Sequence, residues 1–174
     1  MGELASAWLL ELGSERYAAV GKTELQEVMA QPSLTAIPAA PAYCRYRVGW
    51  RGLELPVLDL AVIFGAAPDP APPHWLTVAA YREPTGQPRF GAIQLAAPPS
   101  LIEVSDDSAC PIPETSLTEY LAYSFLAHCC FRHQGRAVPI LNVPRLFSPQ
   151  ARQRLARYST PPAIRSARHL EGAT

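Results

Sequence analysis

The chain has 174 residues, a formal net charge of zero and a hydrophobic content of 48%. This length suits one domain with a buried core. The balanced charge argues against a globally basic nucleic-acid binder. The 19 prolines argue against a long helical bundle, because each removes an amide donor and restricts the residue before it. We expect neither a signal peptide nor a membrane span, since there is no basic N-terminal segment and no run of about 18 apolar residues.

Two β-hairpins are predicted, each with β-forming residues on both sides of a turn sequence. The first joins Trp8–Leu12 to Arg16–Val20, and the second joins Trp75–Ala80 to Arg89–Ile93. Short strands with closely spaced turn signals predict a mainly β fold of small barrels or a sandwich.

Two short helical segments are predicted in the body of the chain. Thr23–Ala30 fits one or two helical turns with Thr23 as N-cap, and Leu117–Leu121 fits another. Leu25 and Val28 are three residues apart and would share one face of the first helix.

Residues 52–64 and 135–147 resemble each other closely enough to predict an internal duplication. Each segment has a turn glycine, a strand containing a proline, an Asx residue and a final phenylalanine. The matching pairs at identical spacing are Gly52 and Gly135, Pro56 and Pro139, Asp59 and Asn142, and Phe64 and Phe147. We interpret the prolines as edge-strand residues and the Asx residues as N-caps that open a short helical turn.

The proline-rich segment 66–74 reads as a linker. It would divide the body, residues 7–148, into a first β unit at 7–65 and a second at 75–148. Residues 1–147 carry 10 basic and 14 acidic residues, a net charge of −4, whereas residues 148–174 carry five arginines and one glutamate, a net charge of +4. We therefore expect 149–174 to be a separate basic region, with a short helix at 149–158 and a mobile end beyond Pro162.

The chain has no phosphate-binding glycine loop and no nucleophile elbow. Its one cluster of potential ligands is His128, Cys129, Cys130 and His133, which leaves a small metal- or thiol-dependent protein as an alternative function. On a strand these side chains would divide between two faces, so buried thiols and a surface histidine are favoured and no metal or other cofactor is expected. Cysteines without a disulfide pattern favour a cytosolic protein.

Several blocks resemble one known family. The segment 51–60, with Arg51-Gly52, Pro56-Val57 and Asp59-Leu60, is similar to one block of the CheW-like domain. The order and spacing of further blocks over residues 7–148 extend the resemblance. These blocks include the two hairpins, the segments 25–28, 37–41 and 119–121, and residues 138–142.

The resemblance implies a fold of two small five-stranded, SH3-like β-barrels packed together, with a few short helices. It also implies a non-enzymatic adaptor that couples a CheA-type histidine kinase to chemoreceptors. Such an adaptor serves chemotaxis or type IV pilus (twitching) motility, in the cytoplasm at membrane-associated receptor arrays. Neither nucleic-acid binding nor direct membrane insertion is expected.

The resemblance also suggests where partners bind. Arg51, beside the turn glycine Gly52, corresponds to a residue near the family's partner-binding region. Tyr46 stands where related sequences usually have glycine, so a partner surface there would be reshaped. Leu25 is the candidate for a partner-facing apolar residue, and Val28 is assigned to the core.

Overall fold

The computed structural model describes residues 3–158. Twelve strands dominate it: β1 (Leu4–Gly13), β2 (Arg16–Gly21), β3 (Leu25–Ala30), β4 (Leu34–Ala36), β5 (Tyr46–Trp50), β6 (Leu53–Leu58), β7 (Trp75–Arg82), β8 (Pro88–Leu95), β9 (Ser100–Ser105), β10 (Ala109–Cys110), β11 (Ala127–His133) and β12 (Arg136–Leu141). The helices are α1 (Leu60–Ile63), α2 (Leu117–Leu126), α3 (Val143–Leu146) and α4 (Pro149–Tyr158), with a 3-10 turn at Asp106–Ser108.

The strands form two six-stranded sheets with the same plan. The first sheet has the order β10-β11-β12-β2-β1-β9, and the second has the order β4-β5-β6-β8-β7-β3. In each sheet the third and fourth strands of this order pair in parallel, through Ile140 and Ala19 in one and through Val57 and Ala92 in the other. The other neighbours are antiparallel. The mainly β, two-unit expectation is confirmed, with six strands in each sheet rather than five.

The boundaries of the two units differ from the expected division at the linker. Residues 25–95 form the second sheet, whereas the first sheet combines residues 4–21 with residues 100–141. The N-terminal hairpin β1–β2 thus takes the place in the first sheet that β7–β8 takes in the second. The expected units 7–65 and 75–148 are therefore wrong as structural units, because strand pairing joins the two ends of the chain. Residues 66–74 contain no strand or helix.

Three apolar clusters stabilise this arrangement. The largest lies between the sheets and includes Leu10, Phe64, Leu126 and Leu141, all fully buried. Two smaller clusters belong to one sheet each, around Trp50 in the second and around residues of β11 and β12 in the first. Both faces of several strands are therefore buried.

The prolines of the repeat were expected in edge strands, but they lie in interior strands. Pro56 lies in β6 and Pro139 in β12, and both strands are interior. In each case the parallel partner pairs only from the following residue, Val57 or Ile140. A proline is accommodated because its missing amide faces the side where no ladder has yet formed.

The segment predicted as a helix at Thr23–Ala30 is instead strand β3. It pairs antiparallel with β7 from Leu25 to Ala30, with a bulge between Leu25 and Glu27. Tertiary pairing outweighs the weak local preference of so short a segment. The other helix is present and longer than expected, with Ser116 as its N-cap. Helix α4 matches the predicted 149–158, whereas the mobile end expected beyond Pro162 lies outside the described residues.

Candidate functional site

The turn between β5 and β6 is a tight hairpin turn of two residues. Trp50 pairs with Leu53, which leaves Arg51 and Gly52 as a two-residue loop. Both have positive φ, 47° for Arg51 and 76° for Gly52. Positive φ at both positions is the signature of the type I′ turn that matches strand twist in tight hairpins. Glycine adopts it freely, whereas the arginine is held there at a cost of order 1 kcal/mol.

Arg51 lies over a network that closes the curled second sheet. The Trp50 indole N–H donates to Glu27 Oε2 at 2.7 Å, and the Arg51 guanidinium lies 3.6 Å from the same oxygen. The Arg51 guanidinium carbon is 4.5 Å from the centroid of the Trp50 ring. Trp50 in turn packs on Phe90, with ring centroids 4.8 Å apart. We call Glu27, Trp50, Arg51 and Phe90 the turn cluster.

The turn cluster brings together strands that are distant in the sheet order. Glu27 is on β3, at one edge, and Trp50 is on β5, four strands away. Their hydrogen bond is possible only because the sheet curls into a half-barrel. The Glu27 backbone carbonyl also accepts a hydrogen bond from buried Thr77 at 3.1 Å, which fixes this part of β3.

The Arg51 side chain is 68% exposed, and that of Glu27 is 42% exposed. An ion pair this exposed contributes only about 0–1 kcal/mol to stability. The Trp50 indole N–H and the Arg51 guanidinium both approach Glu27 Oε2, and the indole is the nearer of the two. Arg51 is therefore positioned by its backbone and by the Trp50 ring, with most of its donors free for a partner.

The other predicted partner-binding residues have different environments. Leu25 is half-buried and packs against the core between the sheets. Val28 is 36% exposed. The assignment of Leu25 to the surface and Val28 to the core is therefore wrong, because strand alternation replaces the helical face. Tyr46 packs against the cluster around Trp50, with the guanidinium carbon of Arg45 5.3 Å from its ring centroid.

The two N-caps predicted from the repeat are present. Asp59 Oδ1 accepts from the Val62 amide at 3.2 Å, and Asn142 Oδ1 accepts from the Arg145 amide at 3.0 Å. Burial raises the pKa of the Asp59 carboxyl, and the bond from Val62 opposes this shift only in part. Asp59 and Asn142 therefore stabilise the junctions where β6 and β12 lead into short helices, which is a structural role.

The cysteine and histidine segment does not form a ligand cluster. Among residues 3–158, no three His, Cys, Asp or Glu side chains lie close enough together to hold a metal ion. Cys130 is buried, and burial raises the pKa of its thiol to about 11, so the thiol is protonated near neutral pH. Cys129 is exposed, and it lies on the same side of β11 as Phe131, because pairing with β12 is regular from Cys129 to Phe131. No observation favours the metal- or thiol-dependent alternative.

Sequence reasoning missed Glu27 and Phe90 as parts of the site. Glu27 is 23 residues from Trp50, and its partner depends on how the sheet curls. The glutamate within residues 25–28 was part of the family resemblance, which is the only sequence signal for it. Arg51 was likewise suggested by the family resemblance, whereas Gly52 carried a local signal as a turn glycine.

The fold and the turn cluster define a β protein that presents a rigid hairpin turn at its surface. The CheW-like domain model matches residues 6–151, and the chain belongs to this family. The chain is 29% identical over 106 residues to a protein named probable chemotaxis protein CheW from Rhizobium etli. That alignment covers 60% of this chain and 64% of the relative, so it spans less than two thirds of the relative's length.

A solved structure supports the fold independently. The crystal structure of scaffolding protein TtCheW from Thermoanaerobacter tengcongensis superposes with a TM-score of 0.60 at 18% identity. The superposition covers 82% of this chain and 90% of the other. Two curled six-stranded sheets with a few short helices are thus the CheW fold. Within the part of the chain described, no helix combines the length and apolarity needed to cross a membrane.

Proposed function

We propose that this chain is a non-enzymatic scaffold that couples a CheA-type histidine kinase to chemoreceptors. Its place in the CheW-like family supports this, as do a relative named for chemotaxis and a structural neighbour named as a scaffolding protein. We place the protein in the cytoplasm, at receptor arrays. The relative's name favours a chemotaxis array over a type IV pilus pathway, which is the finer part of the proposal.

The observation that carries the proposal is the exposed, backbone-fixed Arg51. A forked cationic donor at the tip of a type I′ turn can bind a carboxylate or backbone carbonyls with little loss of conformational entropy. The ion pair between Arg51 and Glu27 is too exposed to contribute much to the stability of the fold, so stability alone does not account for an arginine at this position. We assign Arg51 and Gly52 to the partner surface and add the exposed Val28 on edge strand β3 in place of Leu25.

The test is calorimetric titration of the CheA-type kinase from the same genome into variants of this chain. Arg51→Ala should weaken binding by about 1–3 kcal/mol, as expected for a charged hydrogen bond. Its free energy of unfolding should fall by about 1 kcal/mol or less, since the ion pair is exposed. Arg47→Ala is the matched control, because Arg47 is an exposed arginine on the same hairpin.

Two outcomes would count against the proposal. One is equal weakening by Arg47→Ala, which would indicate a general charge effect. The other is a loss of stability in Arg51→Ala as large as its loss of binding.

A second test concerns the two apolar residues of β3. Val28→Asp should stay folded and lose binding, whereas Leu25→Asp should lower the free energy of unfolding because Leu25 contacts the core. Titration of a kinase from a pilus pathway, run in parallel, separates the two systems.

A further inference from the structure

A second surface, which shares no residue with the turn cluster, is a large basic groove. It lies between the β7–β8 turn and the segment formed by α3 and α4, with a volume of about 1050 Å³. Glu83 is its one acidic residue among those the structure describes. Five arginines line it: Arg82, Arg89, Arg145, Arg152 and Arg154.

The charges of these arginines are largely uncompensated. Among residues 3–158, Arg89 alone of the five has an ion pair, from its Nε to Glu83 Oε1 at 3.0 Å. Arg82 donates to the Gly86 carbonyl at 3.0 Å. Arg145 donates to the Phe125 carbonyl at 3.1 Å. Neutral acceptors therefore orient guanidinium groups without cancelling their charge.

Aromatic rings lie between the arginines. Tyr81 and Phe147 stack with centroids 5.4 Å apart and an interplanar angle of 11°. The guanidinium carbon of Arg154 lies 4.3 Å from the centroid of Phe125. The groove thus offers both cationic donors and apolar faces, a combination that suits a peptide with carboxylates and apolar side chains.

Helix α4 builds one wall of the groove because its other face is anchored. Ala151 and Leu155 are buried, in the core between the sheets. Arg152 and Arg154 are exposed on the same helix. Because Ala151 and Leu155 hold one face of α4 in the core, Arg152 and Arg154 lie on the face that borders the groove.

We propose that this groove docks an acidic peptide segment of a partner protein. Charge complementarity selects the occupant, since five arginines face one glutamate. The chain's own residues 159–174 are not complementary, because they carry two arginines and one glutamate. The arginines come from β7, β8, α3 and α4, so four elements contribute positive charge to a groove of about 1050 Å³, which is large enough for a peptide segment. The net charge of −4 on residues 1–147 disfavours a nucleic acid.

The test uses fluorescence anisotropy with the full chain and a fluorescein-labelled peptide of about twelve residues, rich in glutamate and containing one phenylalanine. Arg152→Gln/Arg154→Gln should weaken binding about tenfold, as for the loss of two exposed charge contacts. The control is Arg132→Gln, which changes an exposed arginine on β11 and should alter the dissociation constant less than about twofold.

A variant that is expected to bind more tightly distinguishes a loss of contacts from misfolding, because a misfolded protein would not gain affinity. Glu83→Gln removes the one carboxylate among the described residues that line the groove and frees Arg89, so it should strengthen binding about two- to fivefold. Raising the salt from about 50 mM to about 300 mM should weaken wild-type binding. Equal weakening by Arg132→Gln, no gain from Glu83→Gln, or tighter binding of a single-stranded oligonucleotide of equal charge would each overturn the proposal.

Discussion

A side chain at Gly91 on β8 is expected to destabilise the fold. A Cβ built on Gly91 would lie 2.2, 2.3 and 2.6 Å from three atoms of the Phe147 ring. Carbon atoms in contact are normally about 3.5–4.0 Å apart, so the ring would have to move by more than about 1 Å. Phe147 is the last residue of the second repeat, and its stacking on Tyr81 would be disturbed by such a shift.

The size of the effect follows from two costs and one gain. Overpacking costs about 1–3 kcal/mol, and disturbing the aromatic pair costs up to about 1 kcal/mol. Alanine in a strand regains about 0.5–1 kcal/mol relative to glycine. We therefore expect Gly91→Ala to lower the free energy of unfolding by about 1–2 kcal/mol, measured by urea denaturation with tryptophan fluorescence.

A double-mutant cycle identifies the cause. In a Phe147→Ala background the obstructing ring is absent, so Gly91→Ala should become neutral or slightly stabilising. Gly49→Ala is the control, because its added Cβ would meet nothing closer than Glu54 Oε1 at 3.6 Å, in a strand of the same sheet. An equal cost of Gly91→Ala with and without the Phe147 ring would refute this reasoning.

Three further predictions concern the caps, the thiols and the C-terminal region. At pH 7, Asp59→Ala should lower the free energy of unfolding by about 0.5–2 kcal/mol, measured by denaturation. Asp59→Asn should keep the cap, because Asn142 caps the equivalent helix in the other repeat. Burial raises the pKa of Asp59, so the native state binds the carboxyl proton more tightly than the unfolded chain does. The free energy of unfolding should therefore fall as the pH rises through the folded-state pKa, and Asp59→Asn should reduce this dependence on pH. A thiol reagent at about pH 8 should modify exposed Cys129 and spare Cys130 until unfolding, as peptide mapping would show, since the pKa of Cys130 is raised to about 11. Deleting residues 160–174 should change the melting temperature by less than about 2 °C, and a larger fall would contradict the expectation that this polar, proline-containing end adds little to stability.

Local sequence signals predicted the features that local geometry controls. The two-residue turn at Arg51-Gly52 needs positive φ at two positions, and the glycine marks it. The caps at Asp59 and Asn142 each depend on an amide three residues along the chain, so spacing alone identified them. The agreement between residues 52–64 and 135–147 also indicated the duplication that the two sheets display.

Features that depend on distant pairing were decided only in three dimensions. Leu25 and Val28 have a spacing compatible with a helix, and pairing of their segment with β7 made it a strand and exchanged their environments. The N-terminal hairpin joined residues 100–141 because its apolar faces could complete that sheet, which no local signal encodes. Glu27 met Trp50 only because the second sheet curls. Turns and caps are fixed by interactions within a few residues, whereas strand partners are fixed by burial shared across the whole chain.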